Sequence, residues 1–302
     1  RYKEEIGLPF RCFLHPQLVT ESTVRAMRDA GCFAIQIGIE CWDEEIRVKI
    51  LNRKETNEQI KKAAEILERT GQPYAFDYIL GIPRLPKTLS DGTTQPLSPE
   101  ESMASIEKEL MSFADFISPL KHLYRVAPFM LQYMPGTEMI EHGLNAAEIS
   151  PGEAQRIDEG HHGNYMAEGS IGVQDEKRLK TLNGYRVLFR LMSFLSPAAK
   201  KRLISWGAHK ILWMAPFRML ISLLDILIAV RDKDATTYAR NYLWWFLRRF
   251  DKNYHLYMFK KRTVFPEVAG GLFQLPLDGE LGSKNQRGWR PPSTTTEAAK
   301  AA

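Results

Sequence analysis

Three polar side chains in the first half of the chain have the types and placement to do chemistry: Glu40, Arg53 and Asp77. Glu40 closes the apolar run Ala34-Ile-Gln-Ile-Gly-Ile-Glu, and Cys41 and Trp42 follow it directly. Asp77 interrupts a second apolar run, Tyr74-Ala-Phe-Asp-Tyr-Ile-Leu, and Arg53 ends the short helix expected between the two. A carboxylate set at the end of a strand this apolar needs a partner or a ligand. One reading of Glu40 is a local cap or ion pair with a neighbouring loop. The other is a ligand site, because two carboxylates and a guanidinium suit a molecule with hydroxyls, an amine and a carboxylate. Carboxylates accept from hydroxyl and ammonium groups, and arginine grips a carboxylate with a forked pair of donors.

These residues need strands to hold them. Ala34 to Ile39 is β-branched and apolar enough for a buried strand bounded by Gly31 and Asp43; Tyr74 to Leu80 predicts a second, closed by Gly81-Ile-Pro83. Phe10 to His15 reads as a short strand ended by Pro16, and His122 to Gln132 as a last one. Between them lie helices. Thr20 caps one through Ala30, Asp43 a short one reaching Leu51, and Thr56-Asn-Glu-Gln59 and Ser98-Pro-Glu-Glu101 have capping-box spacing. Residues 84–97 read as loop. Strands alternating with helices imply parallel pairing with helical crossovers, in an open sheet or a barrel. At the carboxyl ends of such strands, loop residues are held rigidly yet exposed to ligand.

The 302 residues are 44% hydrophobic and 25% charged, which is ordinary globular composition. The net charge of +5 hides an asymmetry. Residues 1–174 carry 18 Lys/Arg against 26 Asp/Glu, whereas 175–262 carry 19 against 6. Cys12, Cys32 and Cys41 are too few and too widely spaced for a disulfide framework or a zinc pattern, which predicts a reducing, cytoplasmic setting. The chain starts with Arg and enters a strand almost at once, so we expect a fragment whose amino-terminal part lies upstream.

Gly38-Ile-Glu-Cys41, Leu51-Asn-Arg-Lys54 and Phe76-Asp-Tyr-Ile-Leu-Gly-Ile-Pro83, taken in register, resemble the radical S-adenosylmethionine enzymes. The resemblance covers about residues 10–137. It implies an α/β fold, the last four strand-helix units of a (βα)6 barrel, with S-adenosylmethionine bound by Gly38, Glu40, Arg53, Asp77, Gly81 and Pro83. Glu40 would supply a polar contact, Arg53 would meet the cofactor carboxylate, and Asp77 would hold the ribose. It also implies a [4Fe-4S] cluster, an electron donor for it, and reductive cleavage of the cofactor to start radical chemistry on a small, apolar substrate. The family's three-cysteine motif is absent, so the cluster ligands are expected upstream and no metal ligand or catalytic residue is assigned here. Ala127-Pro-Phe and Pro135-Gly-Thr resemble the cobalamin-binding branch, which would add cobalamin and methyl transfer or cyclisation. A cofactor-binding or interaction module that carries no cluster is the alternative. A phosphate-binding barrel enzyme would need a Gly-rich anion loop that this chain lacks.

The remaining signals have plain readings. Cys41 is expected as a buried bystander, His15 as a structural histidine, and His161-His162 with Asp158 and Glu159 as a solvated loop. The expected organisation is a barrel portion to residue 143, a polar linker over 144–176, an α-helical domain over 177–262, and an irregular tail over 263–302. The apolar run Ile211 to Val230 contains Pro216, Arg218 and Asp225, which argues against a membrane span. The basic, aromatic stretch Tyr242 to Phe250 suits contact with the inner face of a membrane, and its long apolar neighbours argue against nucleic acid.

Overall fold

A computed structural model describes residues 1–160 and 176–214, together with Phe217, Leu220, Leu223, Leu224, Ile226, Leu227 and Val230. In chain order the elements begin with α1 (Tyr2–Glu5), β1 (Phe10–Phe13), a 3-10 turn at Pro16–Leu18, α2 (Glu21–Asp29) and β2 (Cys32–Glu40). Next come α3 (Glu44–Lys49), α4 (Asn57–Thr70), β3 (Tyr74–Leu80), and a hairpin of β4 (Lys87–Thr88) with β5 (Thr94–Gln95). Then follow α5 (Pro99–Ile117), β6 (Leu123–Met130), α6 (Glu138–Asn145), α7 (Pro151–Asp158), α8 (Glu176–Met192), α9 (Pro197–Ser205) and α10 (His209–Leu212). Helix starts fall where capping chemistry places them. Thr20 accepts from Thr23 N–H, and full capping boxes close at Thr56/Gln59 and Ser98/Glu101.

β1, β2, β3 and β6 pair in that order, all parallel. Among the described residues this sheet is open, with β1 and β6 as edges, and closure into a barrel is not shown. Its two faces differ sharply. Ile35, Ile37, Ile39, Phe76, Tyr78, Leu80, Val126 and Met130 enter one core with residues of α2, α4, α5 and α8. The opposite face is largely small and polar. Register places Gly38, Asp77 and Ala127 in one row, with Gln36, Ala75 and Arg125 in the row before it. Alternation along each strand thus sends most bulky apolar residues to the helices, while Ile79 and Phe129 share the second face with the polar rows.

The structure corrects the expected organisation after residue 143. Helix α7 occupies part of the supposed linker. Ser150 and Glu153 form a capping box, and Ile149, Ala154 and Ile157 pack with Leu131, Tyr133 and Ile140. Helix α8 belongs to the same core as the strands and does not begin a separate one. Phe189 meets Phe113 edge-on at 5.1 Å and Tyr78 at 5.7 Å, a burial that contributes about 1.5–3 kcal/mol. Just past α8, Ser193 Oγ accepts from Val126 N–H at 3.0 Å, which occupies part of the free edge of β6. The fourth strand therefore receives its helix only after a long insertion. Residues 84–97 hold the small hairpin where only loop was expected.

The described residues fall in one compact unit, Arg1–Gly270. His161-His162, Tyr242 to Phe250 and the tail 263–302 lie outside the described residues, as does most of 211–230. No helix among the described residues is long and apolar enough to cross a membrane. Ten residues of α8 are buried, so that part of 177–262 is not available to a lipid surface.

Candidate functional site

The site forms where β2 ends. A register shift between Gly38 and Glu40 interrupts pairing with β3, and Glu40 itself takes a left-handed backbone, φ 58°. This turn folds the Glu40 side chain back over the strand. A methyl group on Gly38 would sit 2.3 Å from Glu40 Oε1, so any larger residue there would force the Glu40 carboxylate to move. Arg53 Nη1 then donates to Glu40 Oε1 at 3.0 Å and Nη2 to the Gly38 carbonyl at 2.9 Å, while Nε donates to Glu55 Oε1 at 2.6 Å. Three of the five guanidinium donors are committed, which leaves one N–H on each terminal nitrogen.

Arg47 builds the loop that carries Arg53. It is fully buried and donates to the Glu55 carbonyl at 2.9 Å, the Cys41 carbonyl at 2.6 Å and Asn57 Oδ1 at 2.7 Å. One side chain thus ties α3 to the end of β2 and the start of α4. On the far side of Glu55, His15 Nε2 stands 3.5 Å from Oε2, and its Nδ1 accepts from Gln17 N–H. His15 is both a local cap and the outer end of a string running His15, Glu55, Arg53, Glu40.

Charge in this string is unevenly held. Burial pushes the Glu40 carboxyl up to about 7; Arg53 opposes the shift, and Asp77 and Glu55 add to it. Glu55, only 2% exposed, would also be raised by burial, but its own backbone hydrogen bond, Arg53 and His15 hold it below the usual carboxylate range. Asp77 lies one strand over, in register with Gly38. Burial raises its carboxyl against the pull of Gln36, Arg125, Arg11 and Arg190, and Gln36 Nε2 donates to both its oxygens at 2.6 and 2.7 Å.

Gly81 and Pro83 are buried in the turn after β3. Gly81 needs its positive φ of 88°, and its carbonyl accepts from Arg178 of α8 at 3.1 Å. Among the described residues they make no hydrogen bond to Glu40, Arg53 or Asp77, and they shape the turn. Cys41, as expected, is buried away from the polar face. Its thiol donates to Glu109 at 3.1 Å, and burial together with Glu109 pushes its pKa well up, so the thiol stays protonated. Glu109 also accepts from Trp42 N–H and the Tyr78 hydroxyl and pairs with Arg84, forming a polar knot directly behind the site.

Glu55, Arg47, Gln36 and the Arg84–Glu109 pair are absent from the reading of sequence alone. Arg53-Lys54-Glu55 looks like a solvated charge cluster, and nothing in its spacing distinguishes the buried member. The three cysteines do not form a cluster site. Cys12 and Cys32 stand 3.7 Å apart on neighbouring strands, and Cys41 belongs to the Glu109 knot. No group of three or more His, Cys, Asp or Glu among the described residues is placed to hold a metal ion.

Residues 1–88 match the family model of the radical SAM superfamily. Every residue of the expected cofactor set, Gly38 through Pro83, lies inside that radical SAM stretch. No curated protein matches the chain. Among solved structures it is similar to coproporphyrinogen III oxidase (HemN) from Escherichia coli, a radical SAM enzyme, at 15% identity and a TM-score of 0.30. That alignment covers 48% of this chain and 27% of the other, so the chain spans about a quarter of the length of the radical SAM enzyme it resembles.

Proposed function

We propose that the rim of β2 and β3 binds S-adenosylmethionine and that the chain is the cofactor-binding part of a radical SAM enzyme. The observation that carries this is the Glu40–Arg53–Glu55 string beside Asp77, within the matching segment. At the rim Glu40 and Glu55 share the single Arg53 guanidinium, which leaves that end of the site short of positive charge, and a sulfonium or an ammonium group supplies it. Asp77 accepts from ribose hydroxyls, Glu40 accepts from hydroxyl or ammonium, and the two uncommitted Arg53 N–H groups meet the cofactor carboxylate. Gly38 leaves room for the Glu40 side chain to fold over the strand, and Arg47 holds the loop in place before the ligand arrives. Bound there, the cofactor supplies radical chemistry once it is reductively cleaved.

The cysteines present do not fit a [4Fe-4S] cluster, and this favours a second reading: a module that binds the cofactor without a cluster of its own. Anaerobic reconstitution with iron and sulfide should give no stoichiometric [4Fe-4S] absorption on this chain, and a stoichiometric spectrum would remove that reading. The radical SAM match reaches the superfamily and lends the cobalamin branch no support.

Binding should depend on pH through Glu40. An acid raised to about 7 when folded is protonated below that value, and a ligand that needs the carboxylate must displace the proton. Affinity for S-adenosylmethionine should therefore weaken by up to about tenfold per pH unit below 7 and level off above 8. In Glu40→Gln the slope due to Glu40 should vanish, and comparing the two proteins cancels the ligand's own titration. Calorimetry from pH 5.5 to 8.5 checks this; no measurable heat with either protein would refute the proposed function.

A further inference from the structure

The polar face of the sheet holds more positive charge than its carboxylate requires. Arg11 of β1, Arg125 of β6 and Arg190 of α8 all act on Asp77, whose two oxygens already accept from Gln36. Arg125 is the member left over. Its Nε is buried without a hydrogen-bond partner among the described residues, and the buried pairs Arg53–Glu55, Arg84–Glu109 and Arg178–Glu148 leave it out. Register sets it opposite Ala75, one row short of Asp77 and Ala127, and two residues along a strand is about 6.6 Å. Beside that row, Ala34, Ala75 and Tyr124 pack with Phe33 and Phe194 into a cluster that contains no carboxylate. A buried donor left unpartnered is costly, and an anion able to take Nε together with a terminal nitrogen removes the cost.

We infer that Arg125 is the anchor for an anionic group of the substrate, a carboxylate or a phosphate, held on the polar face one row below the cofactor site. The inference rests on the proposed cofactor site for the position of the substrate's reacting end; the anion site stands without it. It changes the expected substrate from simply apolar to amphipathic, with its charged end at Arg125. Because Arg53 has its own partners and lies at the rim, the two arginines serve different ligands.

The test uses the full chain with arginine side-chain nitrogen labels, titrated separately with propionate and with inorganic phosphate to about 10 mM, well above a dissociation constant of about 1 mM. The Arg125 Nε–H resonance should move with at least one anion, and whichever binds more tightly identifies carboxylate or phosphate. The response should disappear in Arg125→Gln and weaken in Arg125→Lys, which keeps the charge but lacks the fork. Affinity for S-adenosylmethionine should stay within about twofold in both variants. An Arg125 resonance unmoved by either anion overturns the inference while leaving the cofactor reading intact. A tenfold or greater loss of S-adenosylmethionine affinity in Arg125→Lys also overturns it, because the residue then serves the cofactor. If the parent binds anion at Arg125 but no S-adenosylmethionine, the proposed function fails and the anion site remains.

Discussion

Replacing Arg84 by methionine should cost the fold about 3–5 kcal/mol, read as a lowered urea midpoint with little change in slope. Arg84 and Glu109 are each only 4% exposed, and Arg84 Nη1 stands 2.6 Å from Glu109 Oε2. Burial by itself would push the Glu109 carboxyl up; Arg84 is the strongest influence against it, ahead of Tyr78, Cys41 and Trp42, and together they hold it low. Without Arg84 the carboxylate must stay charged and uncompensated or take up a proton and lose its acceptors. The pair need not be worth much in itself, since two charges in an apolar core also bear a desolvation cost. The double variant Arg84→Met/Glu109→Leu should therefore recover most of the lost stability. Equal losses in the single and double variants would mean that packing around Trp42 and Tyr78, and not the charge pair, sets the cost.

Arg53→Met should injure both stability and binding, by about 3 kcal/mol and at least about tenfold in S-adenosylmethionine affinity. The family resemblance implies only a contact between Arg53 and the cofactor carboxylate. The structure makes Arg53 the counterion of a glutamate only 2% exposed and of Glu40 as well. Removing it strands Glu55 first, because that carboxylate has almost no access to water. Adding Glu55→Gln to Arg53→Met should restore much of the stability and none of the affinity. Restored affinity in the double variant would show that Arg53 matters only by neutralising Glu55 and does not touch the ligand.

Local order was largely written in the sequence. The strands around Ala34 to Ile39 and Tyr74 to Leu80, the cap at Asp43 and the boxes at Thr56 and Ser98 depend on neighbours within a few residues, and each formed where expected. A further box, Ser150-Pro-Gly-Glu153, was equally legible, but the surrounding polarity of 144–176 obscured it. Glu40, Arg53 and Asp77 stood out because each breaks an apolar or helical pattern, a signal that needs no tertiary information. Only the folded chain decides which charges meet. Gln36 and Asp77 are joined across paired strands, Cys41 and Trp42 reach Glu109 on a distant helix, and Arg178 reaches back to Gly81. Strand register and helix packing set these pairings, and burial then gives them their energy and shifts Glu40 toward neutrality. Spacing along the chain records neither the partner nor the depth. For that reason Glu55 and Lys54, adjacent charges in the same short segment, end up one in the core and one in solvent.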